Sequence, residues 1–402
     1  MTTQRNARAR WGTAIHRSLL LALVIAPLSL AQAGEREQAK RIHDRIAGVP
    51  PSSEVLDEMA ADIAAGNAVA AAYTAMESSA FYDVTLKNLA APWTNEAMSP
   101  FVPLNDYTAT VIGLVRDDAD FRTLLYADVL YEGRASLGLP PYSTSNNNHY
   151  EALEAGGYSL RDHLVRVAQS SRNGLPADAT AGVITSRAAA QAFFSAGTNR
   201  AMFRFTLLNH LCNDLEQVND VTLPPDRIRQ DVSRSPGGDS RVFLNNCVGC
   251  HTGMDPMTQA FAYYDFAFDT ANDPDGALGR LVYTANQVQP KYHINAANFK
   301  YGYVTPDDRW DNYWRQGINR RLGWDSGLPG SGRGAKTLGE ELAHSDAFAQ
   351  CQVKKVFKNV CLRDPENASD RGRIASMVNS FQASGYNLKQ VFAESAVYCM
   401  GD

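Results

Sequence analysis

The chain has 402 residues, of which 38 are basic and 43 acidic, for a formal net charge of −5; 45% of residues are apolar. An acidic balance argues against a nucleic-acid-binding surface and suits, if anything, a basic patch on a partner. The length allows two or three domains and ample chain for a buried core.

Residues 1–33 read as a secretory signal peptide. Arg5, Arg8, Arg10 and Arg17 form a basic start, residues 19–30 an apolar run too short to span a bilayer, and Ala31-Gln32-Ala33 a small-residue cleavage site. No cysteine follows the cut to take a lipid, and no later stretch is long and apolar enough for a transmembrane segment. The expected location is the periplasm or outer cell envelope of a Gram-negative bacterium. Loss of four arginines with the signal takes the net charge to −9.

Residues 34–198 read as a helical N-terminal domain. Ser52 caps a helix striped by Leu56, Met59, Ala60 and Ile63 and ended by Gly66. Asn105 caps a second helix through Val111 and Val115. Phe121, Leu124, Leu125, Val129 and Leu130 mark a third. Residues 140–148 form a polar loop, and Ser159-x-x-Asp162 is a capping box opening a helix through Leu164 and Val167. His43, His149 and His163 are isolated, as surface or hydrogen-bonded histidines are.

Residues 199–335 carry the chemistry. An apolar helix over 200–213 ends near Cys212, a polar linker covers 224–239, and a helix from Arg241 runs into Cys247-Val248-Gly249-Cys250-His251. This is the pattern of a c-type haem attachment site. Two cysteines one helical turn apart reach two vinyl groups as thioether anchors, and the adjoining His251 supplies an axial nitrogen to the iron. The rival readings are a redox dithiol, half of a zinc site and a structural disulfide. A redox pair expects a βαβ frame, a zinc site expects a second ligand pair, and neither explains the adjoining histidine. Asp255-Pro256 should stop the helix soon after His251. The following stretch is rich in aromatics: Phe261, Tyr263, Tyr264, Phe266 and Phe268, then Tyr292, Phe299, Tyr301, Tyr303, Trp310, Tyr313, Trp314 and Trp324. These read as the lining of a haem crevice in preference to a platform for a ring-bearing ligand.

Residues 336–402 read as a C-terminal three-helix module. Thr337-x-x-Glu340 opens the first helix, which carries Phe348, Val356, Phe357 and Val360. Ile374, Met377, Val378 and Phe381 stripe the second, and Asn387 caps the third, with Val391, Phe392 and Val397. Cys212, Cys351, Cys361 and Cys399 remain to form two disulfides in an oxidising compartment. Cys351 and Cys361 on one helix lie about 15 Å apart at 1.5 Å per residue, too far to bridge. Parallel first and third helices put Cys361 beside Cys399, which leaves Cys212 for Cys351.

The sixth iron ligand decides between an electron carrier and an open site for small-molecule chemistry. Met254 and Met257 follow His251 too closely to reach the far side of the ring. His293, in Pro290-Lys291-Tyr292-His293, is the first candidate, with Met377, Met400 and His344 behind it.

The run Phe243 to Phe266, with the Cys-x-x-Cys-His motif, Met254-Asp255-Pro256 and then Phe261 to Asp265, resembles the haem-attachment modules of exported planctomycete and myxobacterial proteins, cytochrome-like domains of unknown function. The runs Gly182-Val183-Ile184-Thr185-Ser186 and Phe348-Ala349-Gln350-Cys351 are similar to flanking segments of that family. The likeness covers about half the chain, from near residue 180 onward. Met257 stands where the family usually has Gly, and the aromatic insertion after Asp269 is longer than in most members. The resemblance implies a monohaem c-type protein of the cell envelope and supplies no substrate.

The expected fold is therefore mainly α: a helical N-terminal region, a cytochrome c-like haem module with long aromatic loops, and a C-terminal helical bundle. The expected function is electron transfer through one covalent haem c, held by Cys247, Cys250 and His251, to a redox partner protein in the cell envelope. The alternatives are a haem-dependent oxidoreductase of peroxidase or oxygenase type with an open distal site, and a surface binding protein in which the haem is structural.

Overall fold

The computed structural model describes residues 34–195, 197–297 and 299–401, so the expected signal peptide lies outside the described residues. The described chain is mainly helical, with three antiparallel two-stranded sheets. No helix among the described residues is long and apolar enough to cross a membrane.

The first helix, Glu35–Ala47, buries Ala39, Ile42, His43 and Ile46 on one face, the spacing of an amphipathic helix. It packs on Ser53–Ala64 and Ala68–Met76, and the first and third of these helices lie against the last helix, Leu388–Cys399. Phe81 meets Phe392 edge to face, with centroids 5.0 Å apart. Gln38 Nε2 donates to the Gly401 carbonyl at 2.9 Å, and the Arg41 guanidinium donates to that of Met400. The two ends of the described chain thus form one layer. One buried hydrophobic cluster runs from Ala39 to Ala396 and takes in side chains from all three segments of the sequence.

The expected caps form where a helix was to start. Ser52, Asn105 and Asn387 accept from the backbone N–H groups of Val55, Thr108 and Lys389. Two expected helices give way to strands. Residues Phe121–Leu125 make one 3-10 turn, and β1, Leu130–Gly133, follows. Ser159 does cap, but its helix is the single turn Leu160–His163, after which β2, Leu164–Val167, pairs with β1 from Leu130↔Val167 to Gly133↔Leu164. The apolar spacing of such short runs suits either state, and cross-strand pairing settles it. Strands β3, Tyr264–Ala267, and β4, Arg280–Tyr283, make a second hairpin, and β5, Arg309–Asp311, pairs with β6, Ser331–Arg333.

The C-terminal region holds four helices where three were expected. Gly334–Ala343 begins before Thr337, whose hydroxyl is inside the helix and donates to the Arg333 carbonyl, so the expected capping box is not made. Ser345 then caps a separate helix, Asp346–Cys361, followed by Ala368–Ala383 and Leu388–Cys399. Both expected disulfides form, Cys212–Cys351 and Cys361–Cys399, with Cα–Cα distances of 5.2 and 5.5 Å.

Candidate functional site

Cys247 and Cys250 are the two free thiols among the described cysteines. They stand at the junction of a wide π-type turn, Phe243–Cys247, and the motif helix, Val248–Thr258. Such turns recur at functional sites. Gly249 is required between them: a Cβ there would come within 2.2 Å of Asn219 Oδ1. The segment that crosses at this point donates Asp220 N–H to the Gly249 carbonyl at 3.0 Å. Cys250 is half-buried, with its sulfur 3.4 Å from the Leu215 carbonyl and 3.6 Å from Asn219 Nδ2, and burial pushes its thiol pKa up.

Pro256 does not stop the helix after His251, contrary to the sequence expectation; the helix continues to Thr258. The run Met254, Asp255, Pro256, Met257 is buried against the core, and that packing offsets the backbone hydrogen bond a proline removes.

His251 sits on the partly exposed face of this helix. Its Nδ1 is 3.0 Å from Asp255 Oδ1, one turn later. Asp255 has no exposed surface. Burial pushes its carboxyl pKa up, but the Arg200 and His251 interactions outweigh this and hold it well below the usual carboxylate range. An ionised carboxylate only accepts, so Nδ1 carries the proton and donates. In the neutral ring the lone pair is then on Nε2, which has no hydrogen-bond partner among the described residues. This is the tautomer that metal ligation needs.

A closed ionic network lies beneath. Arg200 donates to Asp255 through Nε at 2.8 Å and Nη2 at 3.1 Å, and to Asp231 through Nη1 at 3.0 Å and Nη2 at 2.7 Å. The fully buried Arg229 donates to Asp231 through Nη2 at 2.6 Å, to Thr258 Oγ1 at 2.7 Å and to the Thr198 carbonyl at 2.8 Å. Its backbone N–H donates to Asp255 Oδ2 at 3.1 Å. Two guanidiniums and two carboxylates balance. Arg200, Arg229 and Asp231 were not read from the sequence, because they are dispersed along the chain. Asp255 carried a signal, its i,i+4 spacing from His251.

A third arginine is differently placed. Arg234 lies 4.3 Å from the ring centroid of Phe243 and 3.7 Å from that of Phe299, and the Phe243 ring is 5.9 Å from that of His251. It forms no ion pair among the described residues, and its buried Nε has no partner there. Burial lowers its pKa. Ile228, Val232 and Phe243 form a small buried cluster that Cys247 and Val248 join, and Val221 and Leu244 are 67% and 62% exposed. Two free thiols, an imidazole whose Nε2 has no partner among the described residues and a nearby arginine without an ion pair there are what an amphipathic macrocycle with carboxylate arms would engage. Cys247 and Cys250 would take its vinyl groups, His251 its iron and Arg234 its acidic edge. No group of three or more His, Cys, Asp or Glu that could hold a bare metal ion is present among the described residues.

The aromatic loop divides. Trp314 stands behind the motif helix and not in a crevice: its indole lies against Gly253, two residues and about 200° round the helix from His251. Tyr292 is buried and donates to the Thr258 carbonyl at 3.0 Å, and Trp310 is buried and donates to Thr337 Oγ1 at 2.8 Å. These rings hold the helix from the core side, because large apolar surfaces gain most where water is fully excluded. Phe299 and Tyr303 flank the site; Tyr303 is tied by backbone hydrogen bonds to Ile228 and Gln230.

The sixth-ligand candidates are dispersed. Met377 is fully buried and its sulfur accepts from Ser395 Oγ at 3.6 Å. His344 is bound through Nδ1 to the Glu340 carbonyl, and the Met400 carbonyl accepts from Arg41. His293 ends a short turn, Pro290–His293, and is partly exposed. His43 and His149 are structural, bonded to the Val49 carbonyl and, for His149, to Gly133 N–H and the Pro140 carbonyl. Two concavities lie away from the motif: one of about 610 Å³ beside Lys40, Arg41 and Arg45, and one of about 600 Å³ lined by Asn105, Asn147 and Arg187.

No protein-family model matches the chain, and no curated protein or solved structure is significantly similar to it.

Proposed function

We propose that the chain is an exported c-type haem protein that binds one haem covalently through Cys247 and Cys250, with His251 as an axial ligand, and exchanges electrons with a partner in the cell envelope. The observation that carries this reading is the state of the motif. Its two cysteines stay free while the other four pair, and its histidine has Nδ1 committed to Asp255 and Nε2 without a partner among the described residues. Bound there, the haem supplies one-electron chemistry at its iron. The protein's own part is to hold the imidazole in one tautomer, to back the helix with Trp314 and to offer Arg234 to an acidic edge.

The alternative is a haem-dependent oxidoreductase, which needs an iron with an open sixth position; Met377 has its sulfur buried and bonded by Ser395, whereas His293 is partly exposed. Optical spectra of the full chain, co-expressed with a haem-attachment system, decide. A low-spin reduced spectrum indifferent to carbon monoxide supports electron transfer. Prompt carbon monoxide binding supports the oxidoreductase. Release of all haem by acid–acetone extraction sinks both.

A further inference from the structure

We propose that Asp255 is the positioning residue of the iron ligand, and that its hydrogen bond to His251 sets the electron-donating strength of the imidazole and so biases the iron toward its ferric state. This rests on the haem reading above.

The bond spans one helical turn, from His251 Nδ1 to Asp255 Oδ1 at 3.0 Å. Both Asp255 oxygens are otherwise engaged: Oδ1 by Arg200 Nε at 2.8 Å, and Oδ2 by Arg200 Nη2 and the Arg229 N–H, each at 3.1 Å. The carboxylate therefore cannot turn away from the ring. A ring N–H that donates to an ionised carboxylate is more strongly polarised than one that donates to a neutral carbonyl. The polarisation raises the basicity of the opposite nitrogen, the one free to bind metal. A more basic axial ligand favours the higher charge on iron.

The network also tempers the effect. Arg200 is shared with Asp231, and Arg229 closes the set on its far side. Two positive and two negative groups cancel at a distance, so the network imposes little net field. What reaches the imidazole is the one direct hydrogen bond. Asp231 is buried in the same network and does not touch His251, which makes it the natural control.

The test is a spectroelectrochemical titration of the haem-loaded full chain as wild type, Asp255→Asn and Asp231→Asn. Each substitution removes one negative charge from the network, and only the first alters the bond to His251. The expected result is a rise in midpoint potential for Asp255→Asn at least twice that for Asp231→Asn. Equal rises, or no rise for Asp255→Asn, overturn the proposal. If Asp255→Asn yields no holoprotein, proton NMR of ¹⁵N-labelled reduced wild type reads the bond directly. A downfield His251 Nδ1–H that exchanges slowly is expected; one lost to solvent exchange overturns the proposal. A wild type without thioether-linked haem overturns the haem reading itself, whereas a haem-bearing wild type with equal rises overturns the Asp255 proposal alone.

Discussion

The Tyr107 hydroxyl and His210 Nε2 share a hydrogen bond of 2.7 Å, with both side chains inside the core. The His210 ring also stacks near Phe348, at 6.4 Å, and meets Trp93 edge to face at 5.4 Å.

Burial, with Lys355 nearby, lowers the His210 pKa to about 3. The unfolded chain binds this proton near pH 6.5 and the folded chain does not until pH falls to about 3. The contribution of neutral His210 is therefore fully present above pH 6.5 and is lost as pH falls from there toward 3. From pH 7 to pH 5 the expected loss is about 2 kcal/mol. Urea unfolding at the two pH values should show it in the wild type and not in His210→Gln, which is less stable throughout but should be flatter with pH.

The two disulfides differ in loop length, with sequence separations of 139 and 38. On the chain-entropy account, removing them costs about 5 and about 4 kcal/mol. The double variant Cys212→Ala with Cys351→Ala should thus unfold at lower denaturant than Cys361→Ala with Cys399→Ala. The reverse order would place the stabilisation in local packing.

Gly253 leaves room for Trp314: an added Cβ would come within 1.8 Å of its indole Nε1. Gly253→Ala should destabilise the chain by about 1–3 kcal/mol, as overpacking does. Tryptophan fluorescence should shift with it, since the displaced ring is fully buried in the wild type. An unchanged melting temperature would mean that the loop carrying Trp314 yields freely.

In the protein prepared without haem, native conditions should expose two reactive thiols and no more, because the other four described cysteines are paired. Cys247 should react with a disulfide reagent before Cys250, whose thiol pKa is raised by burial. A count of zero would point to a Cys247–Cys250 disulfide.

Much of the helical framework was legible from local chemistry. Ser52, Asn105 and Asn387 cap where their side chains predict, and the disulfide pairing followed from helix length. The motif itself was legible because covalent and ligand chemistry need particular residue types at fixed spacing. What escaped depends on distant partners. The strand Leu164–Val167 exists because Leu130–Gly133 is there to pair with it. The Asp255 network escaped for the same reason, since Arg200, Arg229 and Asp231 meet only through the fold. Of the aromatic loop, Tyr292, Trp310 and Trp314 are buried as expected, whereas Tyr301 is 83% exposed, and that Trp314 stands behind the helix was not legible.

The hydrogen bonds from Gln38 and Arg41 to the Gly401 and Met400 carbonyls tie the two ends of the described chain together. Glu35–Ala47 is seated on its neighbours Ser53–Ala64 and Ala68–Met76, and Leu388–Cys399 closes over the first and third of these helices. Clipping the last few residues would therefore be felt at the opposite end of the sequence.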